Sequence, residues 1–214
     1  MDAPPPPLAG IGITFLTYAS LGGPVDSLRR LSRTVAGIFA SELTPGDRRT
    51  ARMSWYDLPL ILAFPTMQTV SQDAIGPETT DLLRADAALS RGDSAGAWRT
   101  LQTRLPSSSN ASGPRTVDMA FSEAWLALAL GHPDVAAAQL DAALNALPRT
   151  SPQLFLEVNQ SGTLVRAMAL RAELADRLGD QDTARQWASA VVILWSDADE
   201  FLQPLVSRMG QLAR

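Results

Sequence analysis

One pattern of small residues occurs three times in this chain, and it limits the fold more than any other feature. Each copy has a Gly, with Ala seven and four residues before it and Ala five residues after it. The glycines are Gly92, Gly131 and Gly179, and the alanines are Ala85, Ala88, Ala97, Ala124, Ala127, Ala136, Ala172, Ala175 and Ala184. Glycine can adopt the left-handed conformation that ends a helix, and alanine lets two antiparallel helices approach closely. The pattern therefore predicts three helical hairpins.

The rest of the chain also predicts helices. Gly and Pro separate segments of helical periodicity, and no strand-like alternation is found, so we expect an all-α fold. Pro59 is expected to kink or divide its helix. A Pro-rich segment, 1–7, precedes one repeat domain over 8–214. Its first part is expected to contain a degenerate hairpin 8–42, a helical segment 46–64 and a loop 65–77. Three clear hairpins follow at 79–105, 116–147 and 163–195, with an insertion 148–162 that packs on a neighbour and a capping helix 200–213.

Composition removes many kinds of chemistry. All 18 basic residues are arginines, so a lysine Schiff base and a P-loop lysine are excluded. The chain has no Cys and one His, which removes thiol nucleophiles and zinc–thiolate sites. His132 lies between Gly131 and Pro133, where we interpret it, or its backbone, as the start of a helix rather than as a catalytic group. We predict no catalytic residue and no cofactor.

Charge and aromatic residues point the same way. The net charge is −4, and the arginines are scattered among acids, so no nucleic-acid partner is expected. The densest basic cluster is interpreted as a solvated helix face: Arg29, Arg30 and Arg33. No metal is expected either, because Asp197, Asp199 and Glu200 lack the Gly and terminal Glu of a calcium loop. The tryptophans at helical positions are expected in the core: Trp98, Trp125, Trp187 and Trp195.

The N-terminal sequence favours a buried helix over a targeting signal. The apolar stretch 8–23 is interrupted by Gly, Thr and Ser and is shorter than the ~20 residues that a membrane-spanning helix needs. No basic region precedes it, so we expect no secretory signal, no transmembrane segment and a cytoplasmic location. The prolines Pro4 to Pro7 are typical of a linker that follows a larger protein.

The three Gly-centred units resemble tetratricopeptide repeats (TPRs), which have small residues at these Ala positions and Gly at the turn between helices. The segment 171–180, followed by Ala184 and by 194–199, is similar to the closing repeats of tetratricopeptide tails in bacterial signalling proteins, including serine/threonine kinases. The resemblance implies a right-handed α/α superhelix of antiparallel hairpins. It implies no kinase activity, because the chain lacks Lys. The long insertions, the missing Pro after two units and Asp176 depart from the repeat pattern.

Three classes of function remain. The resemblance favours a protein–protein interaction scaffold that binds a protein or peptide in an inner groove. The alternative is a structural accessory subunit, docked permanently on a larger assembly, which could be membrane-associated, through an apolar segment such as 8–23 or 53–64. An enzyme is the least favoured class, because no paired catalytic motif supports it.

The spacing of the family places particular residues on the inner surface. We select six of them as partner-binding candidates: Asp86, Phe121, Trp125, Arg166, Glu173 and Arg177. The apolar positions Leu82, Leu89, Phe121 and Leu128 could equally belong to the core. Arg166 and Arg177 are the preferred contacts for an acidic or backbone-rich partner, because a guanidinium can bridge carboxylates and carbonyls in fixed geometry.

Overall fold

A computed structural model of the chain describes residues 6–41, 57–67, 80–105 and 116–214. Within these ranges the secondary structure is helical, without strands, which confirms the all-α prediction. The α-helices are α1 Pro6–Leu21, α2 Val25–Ser41, α3 Leu58–Met67, α4 Asp81–Ser90, α5 Ser94–Gln102, α6 Val117–Ala129, α7 Pro133–Asn145, α8 Val158–Arg177, α9 Gln181–Leu194 and α10 Gln203–Leu212. Short 3-10 helices occupy Leu147–Arg149, Pro152–Leu156 and Glu200–Leu202.

The chain divides into an N-terminal unit, Met1–Leu105, and a C-terminal unit, Pro106–Arg214. In the N-terminal unit, α1 packs against α2 and α3, α3 also contacts α2 and α4, and α4 and α5 form a hairpin. In the C-terminal unit, α8 packs against both helices of the α6–α7 hairpin, and α9 and α10 pack against α8 and against each other. One repeat domain over 8–214 stays a prediction.

The turn glycines have the backbone conformation that the sequence predicts. Gly92, Gly131 and Gly179 have φ of 82°, 85° and 81°, and Gly22, in the degenerate hairpin, has φ of 71°. The same two hydrogen bonds close each of the three turns. At Gly131, its N–H donates to the Leu128 carbonyl at 3.0 Å, and the next N–H donates to the Ala127 carbonyl at 2.9 Å. This Schellman arrangement satisfies carbonyls at the helix end, which explains why the same spacing recurs.

The alanines of the pattern are buried, as expected for close helix pairs. Those seven residues before and five residues after each Gly have no exposed surface, and those four residues before it are at most 7% exposed. The two helices of every hairpin pack against each other. The small residues therefore set the distance between paired helices.

In two of the three hairpins, the side chain of the residue after the turn glycine caps the second helix. The Asp93 carboxylate accepts from the Gly96 N–H at 2.8 Å, and the Asp180 carboxylate accepts from the Thr183 N–H at 3.2 Å. The His132 side chain makes no such bond. Its backbone carbonyl instead accepts the first helical N–H, from Ala136, at 3.1 Å.

Several predicted boundaries are wrong. Helix α8 begins at Val158, five residues before the predicted start of its hairpin. Helix α3 continues through Pro65 to Met67, where a loop was expected. Pro59 lies at the second residue of α3, where a missing N–H costs no helical bond. The remainder of the predicted 46–64 helix and of the 65–77 loop lies outside the described residues.

Two predictions about packing also need correction. The 148–162 insertion packs on a neighbour as expected, since its 3-10 helix Pro152–Leu156 contacts α8, but its Leu156 side chain is 85% exposed. The tryptophans predicted in the core are only half-buried: Trp98, Trp125, Trp187 and Trp195. Each carries an indole N–H, a polar group for which a half-buried position is common.

Candidate partner-binding surface

The six candidate residues do not share one environment. Asp86 belongs to α4 of the N-terminal unit and is 1% exposed. The other five belong to α6 and α8 of the C-terminal unit. Phe121 and Arg166 are buried there, Trp125 and Glu173 are half-buried, and Arg177 is exposed. The accessible part of the predicted site therefore consists of Trp125, Glu173 and Arg177.

Arg166 lies inside the unit, against the aromatic ring of Phe121. Its guanidinium carbon is 4.5 Å from the ring centroid, within the range of a cation–π interaction. Burial removes water from the guanidinium and lowers the pKa of Arg166 to about 9. Because this value is above neutral pH, the side chain stays charged. The pair joins α6 to α8, so Arg166 acts as support behind the surface.

A second polar contact fixes the direction of the same two helices. The Asn159 amide donates to the Asp118 carboxylate at 2.7 Å, and both side chains are buried. Asp118 contacts Asn159 and Phe121 contacts Arg166, in the same order along both helices. Helices α6 and α8 therefore run in the same direction. Sequence reasoning missed this pair because its members are 41 residues apart.

Arg171 joins α8 to the other helix of the preceding hairpin. Its Nε donates to one Asp141 carboxylate oxygen at 2.7 Å, and an Nη donates to the other at 3.1 Å. Such two-point pairs hold an arginine and a carboxylate in one geometry. With Asn159 and Arg166, this contact fixes α8 against both α6 and α7. In the sequence, the signal for this contact is the position of Arg171 between the apolar residues Leu170 and Ala172.

Two further polar groups on α8 are buried. The Gln160 Oε1 and Thr163 Oγ1 atoms have no hydrogen-bond partner among the residues that the structure describes. A buried polar group without a partner costs about 1–3 kcal/mol of stability. The start of α8 is therefore polar and closely enclosed, and it is the part of the helix that the sequence did not predict.

Two of the accessible residues, Glu173 and Arg177, lie near the end of α8, and Trp125 lies on α6. Glu173 pairs with Arg208 of α10, at 3.0 Å between Oε1 and Nη1. Arg177 follows one helical turn later and is exposed. On α6, Trp125 lies one turn after Phe121 and is half-buried. The accessible groups are therefore an indole, a carboxylate already engaged by Arg208 and an exposed guanidinium.

The described residues contain no group of three or more His, Asp or Glu side chains placed to hold a metal ion. Among the helices of these same residues, none has the length and apolar character needed to cross a membrane. No protein-family model, curated protein or solved structure matches the chain. Arguments about function therefore rest on the residues and contacts described above.

Proposed function

We propose that the chain is a non-catalytic protein–protein interaction scaffold of the tetratricopeptide type. The observation that carries this proposal is the packing of α8 against both α6 and α7. In a helical repeat array, each new hairpin begins with a helix that packs on the two helices of the preceding hairpin. The equal turn geometry at Gly131 and Gly179 supports the same relation between these hairpins.

The partner-binding surface of this scaffold is formed by Trp125, Glu173 and Arg177. Tryptophan and arginine are the residues that most often dominate the energy of protein interfaces. Phe121 and Arg166 support the surface from inside. The exposed guanidinium of Arg177 favours a partner that presents a carboxylate or backbone carbonyls, because these groups accept two hydrogen bonds from arginine.

Position-specific crosslinking tests this proposal. A photoreactive amino acid is placed in the full chain at Trp125 or at Arg177, and at Ala142 of α7, which is exposed, as the control. We expect the same protein to be crosslinked from positions 125 and 177 and not from position 142. Equal crosslinking from all three positions, or none from the first two, would refute the proposed surface.

A further inference from the structure

Helix α1 is unusual because it has no charged side chain over 16 residues and yet is partly exposed. Ile13 is 52% exposed and Tyr18 is 37% exposed. Gly10 and Thr14 are exposed on the same side of the helix, where Ile11, Thr17 and Leu21 are half-buried. A helix that is apolar on all sides is normally buried on all sides. The outer face of α1 is therefore suited to contact with another apolar phase.

The two threonine hydroxyls on this face donate to carbonyls of the helix itself. The Thr14 hydroxyl donates to the Gly10 carbonyl at 3.0 Å, and the Thr17 hydroxyl donates to the Ile13 carbonyl at 2.9 Å. Neither hydroxyl donor needs a hydrogen bond from water or from a partner. Removing this face from water therefore carries little of the usual cost of burying a hydroxyl.

The neighbouring helix α2 provides positive charge. Arg29, Arg30 and Arg33 are exposed, and none of them forms an ion pair with another residue that the structure describes. Asp26 is the one acid in the α2 sequence. The opposite face of α2 is apolar and buried, so these arginines point away from the core. The sequence indicates a solvated face at these arginines, and the structure shows that no described acid pairs with them.

The apolar face and the arginines belong to one hairpin. Helices α1 and α2 are joined at Gly22 and pack along each other, and α3 packs against both. The exposed faces of α1 and α2 therefore belong to the same packed hairpin. An uncharged helix face and a group of exposed arginines on one hairpin are typical of a peripheral membrane-binding element.

We propose that this hairpin face docks on the surface of an anionic phospholipid bilayer. The arginines would bind lipid phosphates, to which guanidinium groups donate in pairs. Ile13 and Tyr18 would enter the headgroup region, where a tyrosine ring with a polar end is favoured. An acidic protein is the competing occupant. Protein interfaces carry about one hydrogen bond per 100–200 Å², and the outer face of α1 offers few groups for such bonds, which favours lipid.

Vesicle flotation of the full chain tests the proposal. We expect binding to vesicles of phosphatidylcholine with phosphatidylglycerol and none to phosphatidylcholine alone, and we expect added salt to weaken it. Replacing Arg29, Arg30 and Arg33 with Gln should lower the partition coefficient about 100-fold, since each basic residue at an anionic surface contributes about fivefold. Ile13→Asn should lower it about tenfold, because a buried aliphatic side chain is lost from the contact.

The matched control replaces Arg91, Arg99 and Arg149 with Gln. These arginines are also exposed, and the control changes the net charge by the same amount. It should bind as the wild type does. Circular dichroism is used to check that each variant keeps its helices. Absence of vesicle binding, binding that does not depend on phosphatidylglycerol, or equal loss in the control would each overturn the proposal. These outcomes leave the partner surface of the C-terminal unit untested, so the two proposals fail separately.

Discussion

At the scale of single residues, one backbone conformation ends the first helix of each hairpin. Gly131 has a φ of 85°, and a Cβ placed there would meet no other atom within 4 Å. A substitution at Gly131 is therefore opposed by backbone conformation alone. This requirement is local, which is why the sequence was sufficient to predict it.

Gly131→Ala should lower the free energy of unfolding by about 1–2 kcal/mol, because an L-residue is disfavoured in the left-handed region. Gly131→Asn should cost less, since asparagine tolerates this region. Urea unfolding measures both. Gly210→Ala is the control, because Gly210 lies within α10 with open space around it, and alanine there should stabilise by about 0.5–1 kcal/mol. Equal losses at positions 131 and 210 would contradict the role of φ.

The Asp180 cap predicts a pH dependence. Hydrogen bonds from the Thr183 side chain and backbone N–H lower the pKa of Asp180 below its ordinary value of 3.8. A carboxyl with a lowered folded pKa stabilises the fold above the unfolded pKa, and this stabilisation is lost as the pH falls through the folded pKa. The stability difference between wild type and Asp180→Ala should therefore shrink below about pH 3.8.

NMR titration of the Asp180 carboxyl measures the pKa directly. Thr183→Val removes the hydroxyl and keeps the backbone N–H, so it should raise the pKa of Asp180 toward its ordinary value. An unchanged titration in this variant would show that the hydroxyl does not cause the shift. A stability difference that stays constant through the acid range would show that the cap does not depend on charge.

At the scale of helices, the predictable features are those that repeat locally. The alanine faces and the turn glycines follow from spacing within one hairpin, and they were predicted correctly. The start of α8 was not, because Asn159 and Gln160 look like loop residues in sequence. The Asn159 side chain finds its partner in Asp118 of another helix, and no local pattern contains that information. The burial of Arg166 was missed for the same reason.

The alanine faces predict the effect of enlarging one side chain. Ala124→Leu or Ala172→Leu should force paired helices apart and cost about 1–3 kcal/mol. Both alanines are fully buried. The control is Ala142→Leu on the exposed side of α7, which should leave the unfolding midpoint nearly unchanged. If all three variants have wild-type midpoints in thermal unfolding, the packing described for the hairpins is incorrect.

At the scale of the whole molecule, each unit offers a different kind of surface. The N-terminal unit has an uncharged, partly exposed α1 and three exposed arginines on α2, and the C-terminal unit has a half-buried Trp125 and an exposed Arg177. Residue spacing predicted a helical chain, and composition excluded lysine and thiol chemistry. The sequence could not separate accessible candidates from buried ones. The spacing of the family places Phe121 and Arg166 on the inner surface, as it does Trp125, although both are buried.

The central claim is that the C-terminal unit binds a protein through Arg177. The most direct measurement is equilibrium binding of the partner crosslinked at Trp125 to full-length wild type and to Arg177→Glu. We expect about tenfold weaker binding for Arg177→Glu, because the arginine is replaced by a charge that repels carboxylates. Arg149→Glu, also exposed and with the same change in charge, should bind as the wild type does. Equal affinity of Arg177→Glu and wild type would contradict the account.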